Sequence, residues 1–184
     1  AMGDIASGHS GRDVVIGDNA RVLSRGDDIY NIRSLGGEGG ADTLYGNSHS
    51  DVIFGGQDGD TIDAGPSGDD LVVGDNARGV FSWLTIEDLT SIDPDVGGDD
   101  TIFTYTENDV VVAGLGADTV NAGEDAGEDV VVGDHGQAIF EIVGSGSVLR
   151  EIKTLHVFHA GNDDIYVGDG PDVVLAGSAN DTVD

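Results

Sequence analysis

The chain has 184 residues, of which 31 are glycine, and its 36 acidic and 7 basic residues give a formal net charge of −29 at pH 7. This charge excludes nucleic acid and anionic membrane surfaces as partners, because both are negative, and it makes cations the natural ones. The chain has no cysteine, so we expect a bound metal ion rather than a disulfide to stabilise it.

A long repeat runs through the chain from its first residues. The segment DVVIGDNA at 13–20 recurs as DLVVGDNA at 70–77 and as DVVVGDHG at 129–136. Such self-similarity is typical of repeat architectures, in which each unit contacts its neighbours. We therefore predict a single elongated repeat module over residues 1–184. Its units are expected at about 13–69, 70–128 and 129–184.

Within each unit, an aspartate recurs about every nine residues. Asp42, Asp51 and Asp60 are nine residues apart, and an apolar residue follows each of them two positions later. A glycine-rich loop and a three-residue strand fill nine residues, because glycine tolerates the positive φ of tight turns. Two such steps make one coil of a parallel solenoid, and neighbouring coils stack about 4.8 Å apart. The residues predicted to form its thin core are Leu44, Ile53, Ile62, Val72, Ile102, Val111, Val120, Val131, Ile165, Val174 and Val183.

An excursion of different composition follows each GDN or GDH. We predict these excursions to be β-hairpins, at about 19–36, 76–94 and 135–157. A helix is conceivable for IEDLTSI (86–92), but no helix-length pattern or cap accompanies it, which favours strands. The two strands of a hairpin and the two coils of a unit both span about 9.6 Å. We therefore expect successive hairpins to pair into an additional antiparallel sheet.

The stacked aspartates predict a cation. Carboxylates one coil apart repel each other, and a bridging cation turns that repulsion into attraction. Hard oxygen ligands and turn carbonyls suit Ca²⁺ better than Mg²⁺, which demands a tighter octahedron. We expect folding to be coupled to the binding of this ion.

The nine-residue step resembles the nonapeptide G-G-x-G-x-D-x-U-x of the RTX (repeats-in-toxin), or hemolysin-type, calcium-binding proteins. Good copies are GHSGRDVVI (8–16), GEGGADTLY (37–45), GGQDGDTID (55–63) and AGLGADTVN (113–121). The resemblance implies an all-β, right-handed parallel β-roll, or β-solenoid, that binds Ca²⁺ between loops one coil apart. It also implies a large protein exported by type I secretion without an N-terminal signal and folded outside the cell.

By this resemblance, the sixth-position aspartates and the loop carbonyls are calcium ligands. The matching residues are Asp13, Asp42, Asp51, Asp60, Asp70, Asp100, Asp109, Asp118, Asp129, Asp163, Asp172 and Asp181. Ten ions fit between same-side neighbours if the hairpins leave the alternation of sides intact, and five if each hairpin breaks it. The aspartates of GDN and GDH, Asp18, Asp75 and Asp134, are either further ligands or turn residues that begin the hairpins.

Two loops depart from the family pattern. GNSHSD (46–51) has His49 at the usual second glycine, and TYTEND (104–109) has no glycine, so their sites, at Asp51 and Asp109, are expected to be the weakest. The longer loops before Asp70 and Asp129 offer Asp69 and Glu128 as alternative ligands.

Two other clusters have competing interpretations. HVFH (156–159) contains two histidines that could suggest zinc, but histidines three apart on a strand point to opposite faces, so we interpret them as exposed strand residues. Phe81 and Trp83 form either an exposed sugar-stacking patch or, as we favour, part of the hairpin core.

We expect a non-enzymatic, calcium-dependent structural segment of a large secreted or cell-surface protein. No apolar run approaches the roughly 20 residues of a membrane helix, so we expect no membrane insertion. Ala1 and Met2 look like a cloning remnant and the repeat stops in mid-pattern at Asp184, so we expect a monomeric fragment of a larger chain. The alternative is an adhesin-type module that binds a glycan or partner protein through the hairpin face. A third class is a polysaccharide-active enzyme built on a solenoid.

Overall fold

The computed structural model describes residues 3–26, 28–82, 85–123, 125–144 and 146–184, and this part of the chain contains strands and no helix. The strands are β1 (Ile5–Ser7), β2 (Val14–Ile16), β3 (Ala20–Arg25), β4 (Asp28–Ser34), β5 (Thr43–Tyr45), β6 (Val52–Gly56), β7 (Thr61–Asp63), β8 (Leu71–Asp75), β9 (Ala77–Ser82), β10 (Thr85–Ser91), β11 (Thr101–Phe103), β12 (Val110–Val112), β13 (Thr119–Asn121), β14 (Val130–Val132), β15 (Gly136–Val143), β16 (Gly146–Thr154), β17 (Asp164–Tyr166), β18 (Val173–Leu175) and β19 (Thr182–Val183).

The short strands form two parallel sheets, and the chain passes from one to the other about every nine residues. Roll sheet 1 has the order β1-β5-β7-β11-β13-β17-β19, and roll sheet 2 has the order β2-β6-β8-β12-β14-β18. The pairing continues across each hairpin, as where Ile62 of β7 lies opposite Ile102 of β11. The predicted parallel β-roll is confirmed, and the hairpins do not break the alternation of sides.

The longer strands form the predicted antiparallel sheet, here named the hairpin sheet, in the order β3-β4-β9-β10-β15-β16. Each hairpin leaves the roll after a strand of roll sheet 2 and pairs with the next hairpin. β4 pairs with β9, and β10 pairs with β15. The segment IEDLTSI therefore lies in a strand, β10, apart from its last residue.

The composition of the triplets explains which side of the roll the hairpins cover. The triplets of roll sheet 2, such as VIF, LVV and VVV, are apolar at all three positions. Those of roll sheet 1, such as TID, TIF and TVN, are apolar in the middle. Because successive strand residues point to opposite faces, roll sheet 2 is apolar on both faces and roll sheet 1 on one. The hairpin sheet packs on the outer face of roll sheet 2.

The molecule therefore has two cores. The first lies between the two roll sheets and contains nine of the predicted core residues, buried, with Val174 partly buried beside them. Val183, on the last strand of roll sheet 1, remains 49% exposed. The second core lies between roll sheet 2 and the hairpin sheet, where Phe54 and Val112 meet Ile32 and Leu89.

Of two local predictions, the one for HVFH is wrong and the one for Phe81 is confirmed. His156–His159 is not a strand but a turn, in which the His159 amide donates to the His156 carbonyl at 2.9 Å and His156 has a φ of 51°. A left-handed residue ends the extended backbone there. Phe81 is buried in the second core. Trp83, like Ala1 and Met2, lies outside the described residues.

The second core yields a stability prediction. Leu89→Ala removes a side chain that is fully buried, so we expect it to lower the free energy of unfolding by about 3 kcal/mol. Val22→Ala, on an exposed side of the same sheet, is the matched control and should change it by less than about 0.5 kcal/mol. Denaturant unfolding in saturating Ca²⁺ measures both. Equal effects would show that the hairpin sheet does not cover a stabilising core.

Candidate metal centre

The aspartates that precede the strands form two continuous rows along the roll. The amide of each donates to Oδ1 of the aspartate one coil further on, as from Asp42 to Asp60 at 2.7 Å and from Asp51 to Asp70 at 2.8 Å. Row 1 contains Asp4, Asp42, Asp60, Asp100, Asp118, Asp163 and Asp181. Row 2 contains Asp13, Asp51, Asp70, Asp109, Asp129 and Asp172.

The rows pass the hairpins without interruption. The amide of Asp60 donates to Asp100 at 2.7 Å across the second hairpin, and that of Asp118 donates to Asp163 at 3.0 Å across the third. The twelve predicted aspartates therefore supply ten neighbouring pairs, five in each row. Asp4 was missed by the sequence reasoning, although it lies nine residues before Asp13 and is followed two positions later by Ala6.

The second oxygen of these carboxylates is the unusual feature of the site. Among the described residues, eight row aspartates have an Oδ2 that is buried and has no hydrogen-bond partner. They are Asp42, Asp51, Asp60, Asp70, Asp100, Asp109, Asp118 and Asp163. Buried polar atoms are normally paired, and an isolated buried charge is costly. The rows therefore present unused hard oxygen acceptors at regular intervals.

Glycine makes room for these oxygens at the end of a strand. A Cβ at Gly17 would overlap Oδ2 of Asp42 and the carbonyl oxygen of Gly55. A Cβ at Gly74 would overlap Oδ2 of Asp100 and the carbonyl oxygen of Ala113 in the same way. Carboxylate and carbonyl oxygens therefore converge at these positions, and both are ligands that Ca²⁺ prefers.

Burial raises the pKa of eight row carboxyls, those of Asp51, Asp60, Asp70, Asp100, Asp109, Asp118, Asp129 and Asp163. Desolvation is the largest cause, and the charges of neighbouring aspartates add to it, while the amide hydrogen bonds oppose it. The pKa rises to about 8 for Asp60, Asp109 and Asp118, about 9 for Asp70 and about 10 for Asp100. It rises to about 6 for Asp129 and Asp163.

The aspartates of GDN and GDH lie beside row 1 and use their carboxylates differently. Asp134 accepts the amides of Gly161 at 3.2 Å and Ser178 at 2.6 Å, which belong to loops of successive coils. Asp75 accepts those of Gly98 and Leu115, and Asp18 accepts that of Gln57 at 2.7 Å. Each carboxylate thus helps to hold together loops that a hairpin interrupts.

The two loops that depart from the family pattern adopt the turn without glycine. Asn47 and His49 have φ values of 84° and 76°, and Tyr105 and Glu107 have values of 74° and 83°. A left-handed conformation costs most non-glycine residues roughly 1–2 kcal/mol, and asparagine less. Asp51 and Asp109, which follow these loops, nevertheless keep their places in row 2, so the departure strains the loop rather than displacing the carboxylate.

The alternative ligands of the longer loops lie at the surface. Asp69 and Glu128 are exposed. Oδ1 of Asp69 accepts the amide of Asn108 at 3.2 Å, and the amide of Glu128 donates to Oδ1 of Asn108 at 2.9 Å. Asp69, Asn108 and Glu128 thus form an exposed ladder of hydrogen bonds. Each of them directly precedes an aspartate of row 2 in the sequence.

In the described part of the chain, no three histidine, cysteine, aspartate or glutamate side chains gather into a metal site. A row ion therefore needs backbone carbonyls besides the carboxylates. Nδ1 of His159 lies 3.2 Å from Oδ1 of Asp95. Among the described residues, the histidines of HVFH do not belong to a group of three metal-ligating side chains.

The family model of the RTX calcium-binding nonapeptide repeat matches four segments, 36–62, 45–78, 96–128 and 159–184, which together cover more than half of the chain. The chain belongs to this family. It is a calcium-binding β-roll protein, as the resemblance implied. No curated protein and no solved structure gives a significant match. The described residues include no helix with the length and apolarity for a membrane crossing.

The raised pKa values predict an acid-stabilised metal-free RTX roll. In the unfolded chain an aspartate has a pKa of about 3.9, whereas in the folded chain Asp70 and Asp100 reach about 9 and 10. Between the unfolded and the folded pKa values, the folded state binds more protons than the unfolded state. The stability that these carboxyls contribute is therefore fully present below about pH 4 and is lost as the pH rises toward their folded pKa values.

We expect the β-sheet circular dichroism signal in EDTA to be strongest near pH 4 and to fall on the way to pH 8, with light scattering as the control for aggregation. In saturating Ca²⁺ the dependence should reverse, because protons then compete with the ion. A signal in EDTA that is constant or grows with pH would contradict the burial of unpaired carboxyls.

Proposed function

We propose that this chain is a calcium-triggered structural segment of a large secreted or cell-surface protein, and that it folds when it binds Ca²⁺ outside the cell. The observation that carries the proposal is the series of buried Oδ2 atoms without partners in both aspartate rows. Ionised, they destabilise the metal-free fold, and a divalent cation between loops would satisfy them.

Net charge supports the coupling of folding to calcium. The formal charge of −29 opposes the compact state through self-repulsion. Five Ca²⁺ would reduce it to −19 and ten to −9. The unbroken rows favour ten, one for each neighbouring pair of the twelve predicted aspartates.

We assign the ligand roles by the use each carboxylate makes of its oxygens. The row aspartates would supply Oδ2, and loop carbonyls would complete the coordination. Asp18, Asp75 and Asp134 would hold the interrupted loops together, since their carboxylates already accept backbone amides. Sites at Asp51 and Asp109 would bind more weakly, because their loops must hold strained residues in place.

We propose no catalytic role. A groove of about 570 Å³ lies beside row 2, and its buried carboxylates, Asp51, Asp70 and Asp129, are row members whose Oδ1 atoms accept amides. Nor does an aromatic row favour adhesion through the hairpin sheet. Among its described residues, Tyr30 is the one exposed large aromatic side chain.

Coupled folding is tested by titrating the metal-free chain at pH 7.5 with Ca²⁺ while recording far-ultraviolet circular dichroism. We expect a largely unfolded spectrum that becomes β-sheet as Ca²⁺ is added, with a much smaller response to equal Mg²⁺, because Mg²⁺ demands a tighter octahedron. A full β-sheet signal in EDTA that Ca²⁺ leaves unchanged would overturn the proposal.

One row position provides a sharper test. Asp100→Asn keeps an acceptor for the amide of Asp60 but replaces an unpartnered carboxylate oxygen. We expect it to lower the free energy of unfolding in Ca²⁺ by about 1–3 kcal/mol. In EDTA at pH 7.5 it should not reduce the residual structure, since an amide avoids the cost of protonating this buried carboxyl when the chain folds.

Glu141→Gln is the matched control, because it removes one charge from an exposed site on the hairpin sheet. Its effect in Ca²⁺ should stay within about 0.5 kcal/mol. An Asp100→Asn chain as stable in Ca²⁺ as this control would contradict a ligand role for Asp100.

A further inference from the structure

The outer face of roll sheet 1 is not covered by the hairpin sheet. The first residue of each triplet points outward, and the strand register aligns these residues into a column that follows the roll. After Ile5 of β1, the column reads Thr43, Thr61, Thr101, Thr119, Asp164 and Thr182. The face therefore presents a nearly continuous row of hydroxyl groups.

The third residues of the triplets form a second column with an alternating composition. In register, it reads Tyr45, Asp63, Phe103, Asn121 and Tyr166. An aromatic ring thus occurs on every second coil, with a carboxylate or amide between each pair of rings. Two coils span about 9.6 Å, so the backbone positions that carry the three rings recur at about that interval along the sheet.

The rings are accessible from solvent. Tyr45 is 38% exposed, and Phe103 and Tyr166 are partly exposed. Tyr105 extends the platform at the middle ring: it is 40% exposed, and its ring centroid lies 6.2 Å from that of Phe103 with an interplanar angle of 25°. Along this face, partly exposed rings thus alternate with hydrogen-bonding groups.

We propose that this face binds an extended, uncharged β-1,4-linked polysaccharide lying along the roll. The interval of two coils is close to the length of the disaccharide unit in such a chain. Because successive sugars are turned by half a turn, equivalent ring faces recur at every second sugar, as the aromatic side chains do. Sugar rings stack on Tyr45, Phe103 and Tyr166, and the hydroxyls between them meet Asp63, Asn121 and the threonine column.

Charge selects among polysaccharides. Asp63 and Asp164 accept hydrogen bonds from sugar hydroxyls but repel carboxylate and sulfate groups, and the chain as a whole is strongly negative. Neutral chains are therefore complementary and polyanionic ones are not. The exposed columns of this face are distinct from the aspartates of row 1 and row 2, whose Oδ2 atoms are buried. A polysaccharide on the face and Ca²⁺ in the rows can therefore be bound at the same time.

The test is a depletion isotherm of the full chain on insoluble cellulose, chitin and β-mannan, in saturating Ca²⁺ that circular dichroism shows to fold it. We expect saturable binding to at least one of them, the three arms identifying the sugar, and none to alginate. Tyr45→Ala, Phe103→Ala and Tyr166→Ala should each weaken binding about fivefold, and the triple variant on the order of 100-fold.

Tyr30→Ala, which removes an exposed ring from the hairpin sheet, is the matched control and should bind as the parent does. Tyr45→Phe and Tyr166→Phe retain the rings and should retain binding within about twofold. Absence of binding by the folded parent to all three polysaccharides would overturn the proposal, as would a folded triple variant that binds equally well. Since folding is verified separately, either result would leave the calcium proposal standing.

Discussion

The amide-to-carboxylate hydrogen bond between aspartates one coil apart is the constraint on which the rest of the roll depends. It occupies Oδ1 and leaves Oδ2 buried without a protein partner at eight described positions. A buried carboxyl in that position is stable when it is protonated or faces a cation. At neutral pH the metal-free fold must therefore bear the cost of protonating or burying these carboxyls. The proposed dependence of folding on calcium thus arises from the backbone register itself.

The crowded row carboxylates and the two cores place different demands on the sequence. Glycine at positions such as 17 and 74 lets a carboxylate and a carbonyl approach the strand end. The roll alone has a thin core of one layer of side chains, with Ile53, Ile62 and Val72 among them. The hairpin sheet adds a second core on roll sheet 2, and because it leaves the rows intact, it widens the module without interrupting the metal sites. Roll sheet 1 remains open for a ligand.

Much of the fold could be predicted because its signals are periodic. The nine-residue step indicated the roll, and the equal rise of two coils and one hairpin indicated the antiparallel sheet. The side that the hairpins cover was missed, although triplets such as LVV and TIF differ in a way that reveals it. The left-handed Tyr105 and Glu107 could not be predicted, since contacts with neighbouring coils, such as that of the Glu107 amide with Asp125, impose a conformation that their own preferences oppose. The exposed aromatic column depends on strand register, which local composition does not specify.

A crystal structure of the chain grown in Ca²⁺, with anomalous scattering used to locate the ions, would show whether Ca²⁺ lies along the two aspartate rows. We expect two lines of anomalous peaks, each peak between consecutive aspartates of one row and next to an Oδ2 atom that has no protein partner. The line of row 2 should continue past all three hairpins, and that of row 1 past the second and third. A folded roll with no ions in the rows, or with lines that stop at each hairpin, would contradict this expectation.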